Sequence, residues 1–265
     1  MLQHTRRTEQ PSPAAMRILA DDPARIALFL DVDGTLLEIA PTPDGVVVPD
    51  GLPDILARVA KALDGAVAIL TGRQLSEIDQ LLMPLQLAGS GVHGSEMRAA
   101  PGEPIESDSD VVPQALIDEL HEHAREWPGV LIEPKGPGLA IHYRQALDLK
   151  PQLAAQLQES LDRHRNGDGG DLVLCGGRKL FEIVPSGHSK GTALATIAAL
   201  PHFPGRMPVM IGDDVGDESA FAAAERLGGA GLKVGGEHFS HADCDFSGPD
   251  GVRDWLEMLA TRISD

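Results

Sequence analysis

The sequence has few aromatic residues and few basic ones. Phe, Trp and Tyr make up 3% of its 265 residues, and 22 Lys and Arg face 40 Asp and Glu, giving a formal net charge of −18. Nucleic acids are bound by clustered cations and by aromatic side chains that stack on bases. The composition therefore excludes nucleic acid as a partner and disfavours an anionic membrane.

Long apolar runs and cysteine pairs are also missing. The apolar stretches 26–30 and 66–70 are far shorter than the roughly 20 residues that cross a bilayer. The polar first residues contain no apolar segment followed by a small-residue cleavage site. The two cysteines, Cys175 and Cys244, cannot form a disulfide framework, which favours a reducing compartment. We expect a cytoplasmic, monomeric protein that does not bind membranes.

The apolar runs predict a parallel sheet. Residues 26–30 and 66–70 are continuously apolar, as in strands that are buried on both faces. A stretch with helical spacing of apolar residues, 53–63, lies between them. A strand, a helix and a second strand in this order imply parallel pairing. We therefore expect a Rossmann-like α/β core.

The pattern of apolar strands and helices changes near residue 103 and returns after residue 187. Between these points, strand and helix patterns separated by Pro and Gly are typical of a small α+β unit. We expect an inserted α+β domain within the α/β core. The predicted division is a flexible N-terminal head over residues 1–22, a core over residues 23–103 and 186–265, and the inserted domain over residues 104–185.

Two clusters of acidic residues follow predicted strands. Because ligands of open parallel sheets bind at the carboxyl ends of the strands, both clusters should meet on one rim. Converging carboxylates repel one another unless a divalent cation neutralises them, and ligands that are all oxygen favour Mg²⁺. The alternative for either cluster alone is a solvated helix cap. The clusters are Asp31 with Asp33, and Asp213 with Asp214 and Asp217.

The spacing of Asp31 and Asp33 suits phosphoryl transfer. A carboxylate beside Mg²⁺ can attack phosphorus, and an acid two residues away can handle the proton of the leaving group. Gly34 would let the backbone approach the phosphoryl group. The hydroxyl of Thr71 and the ammonium of Lys190 are candidate donors to the phosphoryl oxygens.

Four separated motifs resemble those of the haloacid dehalogenase superfamily of phosphatases. They are Asp31 to Thr35, Thr71 to Arg73, Lys190, and Gly212 to Asp217. The resemblance implies an aspartyl-phosphate mechanism, with Asp31 as the nucleophile and Asp33 as the general acid and then base. It also implies Mg²⁺ held by Asp31, the backbone carbonyl of Asp33 and Asp213, support from Asp214 and Asp217, and phosphate bound by Gly34, Thr71, Gly72 and Lys190.

The inserted domain stands where this superfamily carries its larger cap, the C2 type. Segments 91–96, 133–144 and 181–187 are similar to trehalose-6-phosphate phosphatases. This resemblance implies hydrolysis of trehalose 6-phosphate to trehalose and phosphate, a reaction of trehalose biosynthesis. Gly216 departs from the usual Thr of the family, and Pro134 interrupts the Glu-Lys stretch. The substrate-binding residues that this resemblance implies are Glu133, Lys135 and Glu182. Arg73 and His93 are further candidates for substrate binding, and the alternative for His93 is a structural role at the rim.

Other functions are weighed against this one. The substrate could instead be another sugar phosphate, such as sucrose 6-phosphate or mannosyl-3-phosphoglycerate. A catalytically silent sensor of sugar phosphates would have no need for an acid at Asp33. Residues 89–94 fit the dinucleotide pattern G-x-G-x-x-G, but no helix is predicted after them. His238, His241 and Cys244 imitate a zinc site, but they lie in a loop without a second ligand pair.

Overall fold

The computed structural model describes residues 10–40, 45–107, 112–164, 171–177 and 179–262. The strands in these ranges are β1 (Ile26–Leu30), β2 (Val67–Leu70), β3 (Ala88–Gly91), β4 (Glu96–Arg98), β5 (Glu106–Ser107), β6 (Leu131–Lys135), β7 (Gly138–His142), β8 (Leu172–Gly177), β9 (Leu180–Pro185), β10 (Met207–Gly212) and β11 (Ala230–Lys233). The helices are α1 (Pro13–Ala20), α2 (Leu52–Ala62), α3 (Leu75–Leu81), α4 (Gln114–Ala124), α5 (Lys150–His164), α6 (Lys190–Ile197), α7 (Glu218–Arg226) and α8 (Pro249–Arg262).

The larger sheet has the strand order β11-β10-β1-β2-β3-β4-β5. Its first five strands are parallel, and β1 lies between β10 and β2. Every residue of β1 and β2 is buried, as expected for strands covered on both faces. Helices α6 and α7 pack on this sheet and on each other, while α2 packs against α8. The predicted α/β class and the parallel sheet are confirmed.

The sheet continues beyond the predicted strands. β4 and β5 extend it with antiparallel pairing. These strands are short and polar, so the sequence has no apolar run there that would predict them. Residues 89–94, which fit the dinucleotide pattern, form the end of β3 and a 3₁₀ turn that leads into β4. No α-helix follows this turn directly, so the context needed for dinucleotide binding is missing.

The smaller sheet is antiparallel, with the strand order β6-β7-β9-β8. Helices α4 and α5 cover one of its faces, and a separate group of buried apolar residues, including Ile132, Ile141 and Phe181, fills the space between. Side chains alternate between the two faces of a strand. Polar residues of β6, β7 and β9 therefore lie on the face opposite these helices, and this face borders the cavity described below.

The N-terminal segment differs from the prediction of a flexible head over residues 1–22. Residues 1–9 lie outside the described ranges, but residues 13–20 form α1, with Ala15, Ile18 and Leu19 buried. Trp255 of α8 donates a hydrogen bond from Nε1 to the carbonyl of Ala15 at 3.0 Å. The expectation is wrong for residues 13–20 because apolar side chains at helical spacing pack this segment against α8.

None of the helices in the described ranges is both long enough and apolar enough to cross a bilayer.

Candidate active site

Parallel pairing of β1 with β10 brings the two acidic clusters together. The amide of Asp31 donates to the carbonyl of Ile211 at 3.0 Å, which continues the strand pairing beyond the end of β1. Asp31 and Asp213 then project from the same edge of the sheet. Carboxylate oxygens of Asp31, Asp213 and Asp217 lie within 4.8 Å of one another, and all three residues are buried.

Lys190 is the cation of this cluster. It is the first residue of α6, which Ser189 and Thr192 begin with a capping box. Its Nζ lies 2.6 Å from Oδ1 of Asp31 and 2.6 Å from Oδ1 of Asp217. Burial would lower the pKa of Lys190, but the carboxylates of Asp217 and Asp31 raise it well above its ordinary value. Lys190 is therefore a fixed positive charge.

Asp217 and Asp214 shape the loop that follows β10. Oδ2 of Asp217 accepts hydrogen bonds from the amides of Asp213 and Asp214, each at 3.0 Å. The side chain of Asp214 instead accepts from the amide of Val215 at 2.7 Å. Both oxygens of Asp217 therefore have partners within the protein, so this residue supports the arrangement of Asp213 and Lys190.

Gly34 is required at its position for two reasons. Its φ of +88° lies in the left-handed region, and a Cβ there would sit 2.1 Å from Oδ2 of Asp213. Next to it, the hydroxyl of Thr35 donates to Oδ2 of Asp31 at 3.1 Å. The loop after β1 thus places its backbone directly against the carboxylate that arrives from β10.

The donor set fits a hard divalent cation. Three buried carboxylates face one ammonium, which leaves excess negative charge. Burial, reinforced by repulsion from Asp217 and Asp33 and opposed by Lys190, raises the pKa of Asp31 to about 7. A cation close to a buried carboxyl group favours its ionised form. Oxygen ligands without nitrogen or sulfur suit Mg²⁺, and Asp31 and Asp213 are the residues placed to hold it.

Thr71, Gly72 and Arg73 follow β2, next to the acidic cluster. The hydroxyl oxygen of Thr71 accepts from the amide of Arg73 at 3.1 Å, which leaves its own hydrogen available to another acceptor. Arg73 donates from Nε to Oδ2 of Asp33 at 2.6 Å and from Nη2 to Oδ1 at 2.8 Å. Arg73, which is predicted to bind substrate, therefore donates hydrogen bonds to both carboxylate oxygens of Asp33.

A cavity of about 660 Å³ lies between this rim and the polar face of the smaller sheet. Gly34, Glu133 and Asp217 do not line it. The other sequence-predicted residues line it: Asp31, Asp33, Thr71, Gly72, Arg73, His93, Lys190, Asp213 and Asp214 from the larger unit, and Lys135 and Glu182 from the smaller one.

Glu133 reaches the cavity wall through two neighbours that do line it. Its Oε2 lies 2.8 Å from Nε2 of His142 and 3.6 Å from Nζ of Lys135. The hydrogen bond from His142 and the charge of Lys135 lower the pKa of Glu133 against the opposing effect of burial. His142 lies within a family-like segment of the sequence but was not predicted as a site residue, because the segment alone does not show which of its side chains face the cavity.

Further lining residues were missed for different reasons. Cys175 lies directly opposite Glu182 in the β8–β9 register, so strand alternation could have found it. Arg144 donates to the carbonyl of Ala40 at 2.8 Å, a tertiary contact that no local pattern signals. His188, Ser189 and Gly216 also line the cavity.

The two departures from the family pattern have simple structural accounts. Pro134 lies on β6, an edge strand where a missing amide is tolerated, and its side chain is exposed. Glu133 and Lys135, on either side of it, keep their contact. A Cβ at Gly216 would meet only the ring of His93, at 3.9 Å.

The loop with His238, His241 and Cys244 does not form a zinc site in the structure. His238 pairs with Glu218 at 2.9 Å. Within the described ranges, the carboxylates of Asp31, Asp213 and Asp217 form the group that meets the geometric requirement for a metal site, and His238, His241 and Cys244 do not.

Comparison of the chain with known proteins gives one family. The sequence pattern of the Trehalose-phosphatase family matches residues 29–245. The chain belongs to the trehalose-phosphatase family. This member of the family is 39% identical over 241 residues to the trehalose-6-phosphate phosphatase of Escherichia coli K12, covering 91% of this chain and 88% of the relative. A probable trehalose-phosphate phosphatase of Sinorhizobium fredii is 41% identical over 217 residues, or 82% and 80% of the two chains.

Solved structures of two phosphatases share the fold of this member of the trehalose-phosphatase family. The C-terminal domain of trehalose-6-phosphate phosphatase from C. albicans has a TM-score of 0.74 at 20% identity, covering 96% of this chain and 98% of that one. A haloalkanoate (HAD) superfamily phosphatase from Bacteroides thetaiotaomicron has a TM-score of 0.56 at 17% identity, covering 91% and 95%. The predicted haloacid dehalogenase fold is confirmed.

Proposed function

We propose that the protein hydrolyses trehalose 6-phosphate to trehalose and phosphate in a Mg²⁺-dependent reaction of trehalose biosynthesis. Membership of the trehalose-phosphatase family supports the reaction class, a phosphoric monoester hydrolysis. The observation that carries the proposal is the floor of the cavity. There Asp31, Lys190 and Asp213 meet, opposite a wall that presents Lys135 and Glu182.

Asp31 is the proposed nucleophile. One carboxylate oxygen attacks phosphorus, an O–P bond to Asp31 forms, and the P–O bond to the sugar breaks. The sugar oxygen takes up a proton from Asp33. Water then attacks the aspartyl phosphate and gives its proton to Asp33, the bond between Asp31 and phosphorus breaks, and inorganic phosphate leaves.

Asp33 would act only after its contact with Arg73 changes. Arg73 now holds both carboxylate oxygens, and a carboxyl group that donates a proton must carry it on one of them. The side chain of Asp33 is about one-third exposed, so it has room to move toward the leaving group. Arg73 in turn would become available to the substrate, the role expected from the sequence.

The phosphoryl group would bind between the two motif loops. Lys190 and the Thr71 hydroxyl supply donors, and Gly34 and Gly72 leave room for the phosphoryl oxygens. When bound, Mg²⁺ neutralises phosphoryl charge. Asp31, the carbonyl of Asp33 and Asp213 would hold the ion, with Asp214 and Asp217 supporting the loop that carries Asp213.

The smaller unit, which carries α4, α5 and β6 to β9, is the proposed cap that selects the sugar. The expected boundary at residue 104 is too early, because β5 pairs with β4 in the larger sheet. The polar face of this unit turns Lys135 and Glu182 toward the cavity, and Glu133 contacts Lys135. Charged groups and sugar hydroxyls form strong hydrogen bonds, and a site built for hydroxyls rejects substrates without them. We further propose a monomer in the cytoplasm. Cys175 and Cys244, which form no disulfide, agree with a reducing compartment.

The test is phosphate release from trehalose 6-phosphate, sucrose 6-phosphate and glucose 6-phosphate, each with Mg²⁺ and with EDTA. Asp31→Asn serves as the blank. We expect Mg²⁺-dependent release from trehalose 6-phosphate in preference to the other two. Preference for another sugar phosphate would overturn the assigned substrate, and release from none would favour a sensor.

A further inference from the structure

His93 occupies a strained position between the loops of the phosphate site. Its φ of 52° and ψ of 28° lie in the left-handed region, which non-Gly residues seldom adopt, although Asn, Asp and His adopt it more often than the others. A Cβ at Gly72 would lie 2.5 Å from His93 Nε2, and a Cβ at Gly216 would lie 3.9 Å from its Cε1. Strained residues of this kind cluster at functional sites.

The backbone of His93 is tied to the loop that binds phosphate. Its amide donates to the carbonyl of Thr71 at 3.2 Å, and Val92 donates to the carbonyl of Arg73 at 3.0 Å. These hydrogen bonds fix the backbone of His93 relative to Thr71 and Arg73. The ring extends from this backbone past Gly72 toward the smaller unit.

The ring of His93 contacts a carboxylate of the other unit. Its Nε2 pairs with Oε2 of Glu182, which β9 carries on the polar face of the smaller sheet. The Glu182 side chain is only 8% exposed. A buried carboxylate is costly unless it is paired, so this contact decides where the Glu182 side chain rests.

Other charges also act on Glu182. Burial by itself would raise the pKa of Glu182, but His93, by charge and by hydrogen bond, lowers it together with the more distant Lys135 and Lys190. Lys135 belongs to the cap and Lys190 to the core. Glu182 therefore lies in the field of cations from both units, and His93 is the partner in direct contact.

We propose that His93 is a positioning residue, which holds the Glu182 carboxylate over the phosphate-binding loops and so ties sugar recognition to the phosphate site. This inference rests on the proposed function. It differs from the candidate role that the sequence gives His93, direct binding of substrate. The Nε2 atom is engaged by Glu182, so the effect of His93 on the sugar passes through that carboxylate.

The test uses two His93 variants that separate reach from backbone strain. His93→Gln keeps an N–H group at about the distance of Nε2, whereas His93→Asn accepts the left-handed backbone but is too short to reach Glu182. Inhibition by trehalose and by inorganic phosphate is measured with p-nitrophenyl phosphate as the reporter substrate. The same constants are measured in Glu182→Gln and in the double variant with His93→Asn.

We expect His93→Asn to raise the inhibition constant of trehalose about tenfold or more, a loss of about 1.4 kcal/mol. The constant for phosphate should change far less, and His93→Gln should recover part of the loss. In the Glu182→Gln background, His93→Asn should add less than a twofold effect, because both changes remove one interaction. Thermal unfolding of each variant verifies that it is folded.

Two results would overturn the inference. Equal losses for trehalose and phosphate would make His93 part of the phosphate site, and multiplicative losses in the double variant would make it independent of Glu182. Failure of the proposed function gives a different result. In that case the wild-type protein releases no phosphate from trehalose 6-phosphate, and trehalose does not inhibit it.

Discussion

The ammonium of Lys190 lies 2.6 Å from the Asp31 carboxylate, a contact between residues 159 positions apart. It joins the first turn of α6 to the end of β1, and both groups are buried. Because Lys190 also pairs with Asp217, a single ammonium group contacts two of the three carboxylates in the cluster.

Removal of this ammonium is expected to destabilise the fold as well as stop turnover. Lys190→Met would leave two buried carboxylates without a cation, a change that costs about 3–5 kcal/mol when a buried pair is broken. Urea unfolding without divalent ions measures the loss. Lys61→Met, on the surface of α2, is the control and should change the free energy of unfolding little. An unchanged free energy in Lys190→Met would contradict the role of Lys190.

Metal binding should be detectable without turnover. We expect Mg²⁺ to raise the thermal unfolding midpoint of the wild-type protein, because an ion bound to the folded state stabilises it. Asp213→Asn should lose most of that shift. Asp79→Asn, which alters an ion pair with Arg98 outside the cluster, should keep it. Equal shifts in all three proteins would show that the ion binds elsewhere.

Gly34 and Gly102 offer a matched pair of substitutions. Both have left-handed φ values, +88° and +81°, but a Cβ at Gly34 collides with Asp213 whereas one at Gly102 meets nothing within 4 Å. Each alanine variant should lose about 1 kcal/mol from backbone strain. Gly34→Ala should also lose most of its phosphatase activity, and Gly102→Ala should keep its activity. Similar rates in the two variants would refute the close packing of Gly34 on Asp213.

The cap carries a pH-dependent contact outside the cavity. Glu119 of α4 is partly buried, which alone would raise its pKa, but hydrogen bonds from Ser160, Arg163 and His164 lower it from 4.5 to about 2. The pKa of Glu119 is lower in the folded protein than in the unfolded chain, so ionised Glu119 stabilises the fold. This stabilisation is complete when the pH is above 4.5, and it is lost as the pH falls toward about 2. A quarter of the Glu119 side chain is exposed to solvent, which weakens the contact. We therefore expect it to contribute about 1–2 kcal/mol to the free energy of unfolding at pH 7.

Urea unfolding at pH 7 and pH 3.5 tests this contact. Glu119→Gln should be less stable than the wild-type protein at pH 7, and the difference should shrink at pH 3.5. Glu122→Gln is the control, because Glu122 pairs with Arg125 on the open surface of the same helix. A difference that grows as the pH falls would contradict the sign of the shift.

The sequence could predict those parts of the site that rest on strand ends. Apolar runs identify β1 and β10, and parallel pairing brings the acids that follow them to one rim. The contacts of Arg73 with Asp33, of His93 with Glu182 and of His142 with Glu133 could not be foreseen. Each depends on side-chain orientation and on how distant elements pack, and spacing along the chain carries no information about either. α1 could have been predicted, because Ser12 followed by Pro13 is a helix-start signal and Ala15, Ile18 and Leu19 follow at helical spacing.

The central claim is that Asp31 becomes phosphorylated by trehalose 6-phosphate. The most direct measurement is acid quenching during turnover with Mg²⁺, followed by mass spectrometry of the peptide that contains Asp31. Asp31→Asn, which lacks the carboxylate that attacks phosphorus, is the blank. The account predicts a phosphoryl group on Asp31 in the wild-type protein and none on the corresponding peptide of Asp31→Asn. Release of phosphate by the wild-type protein with no phosphoryl group on Asp31 would contradict it.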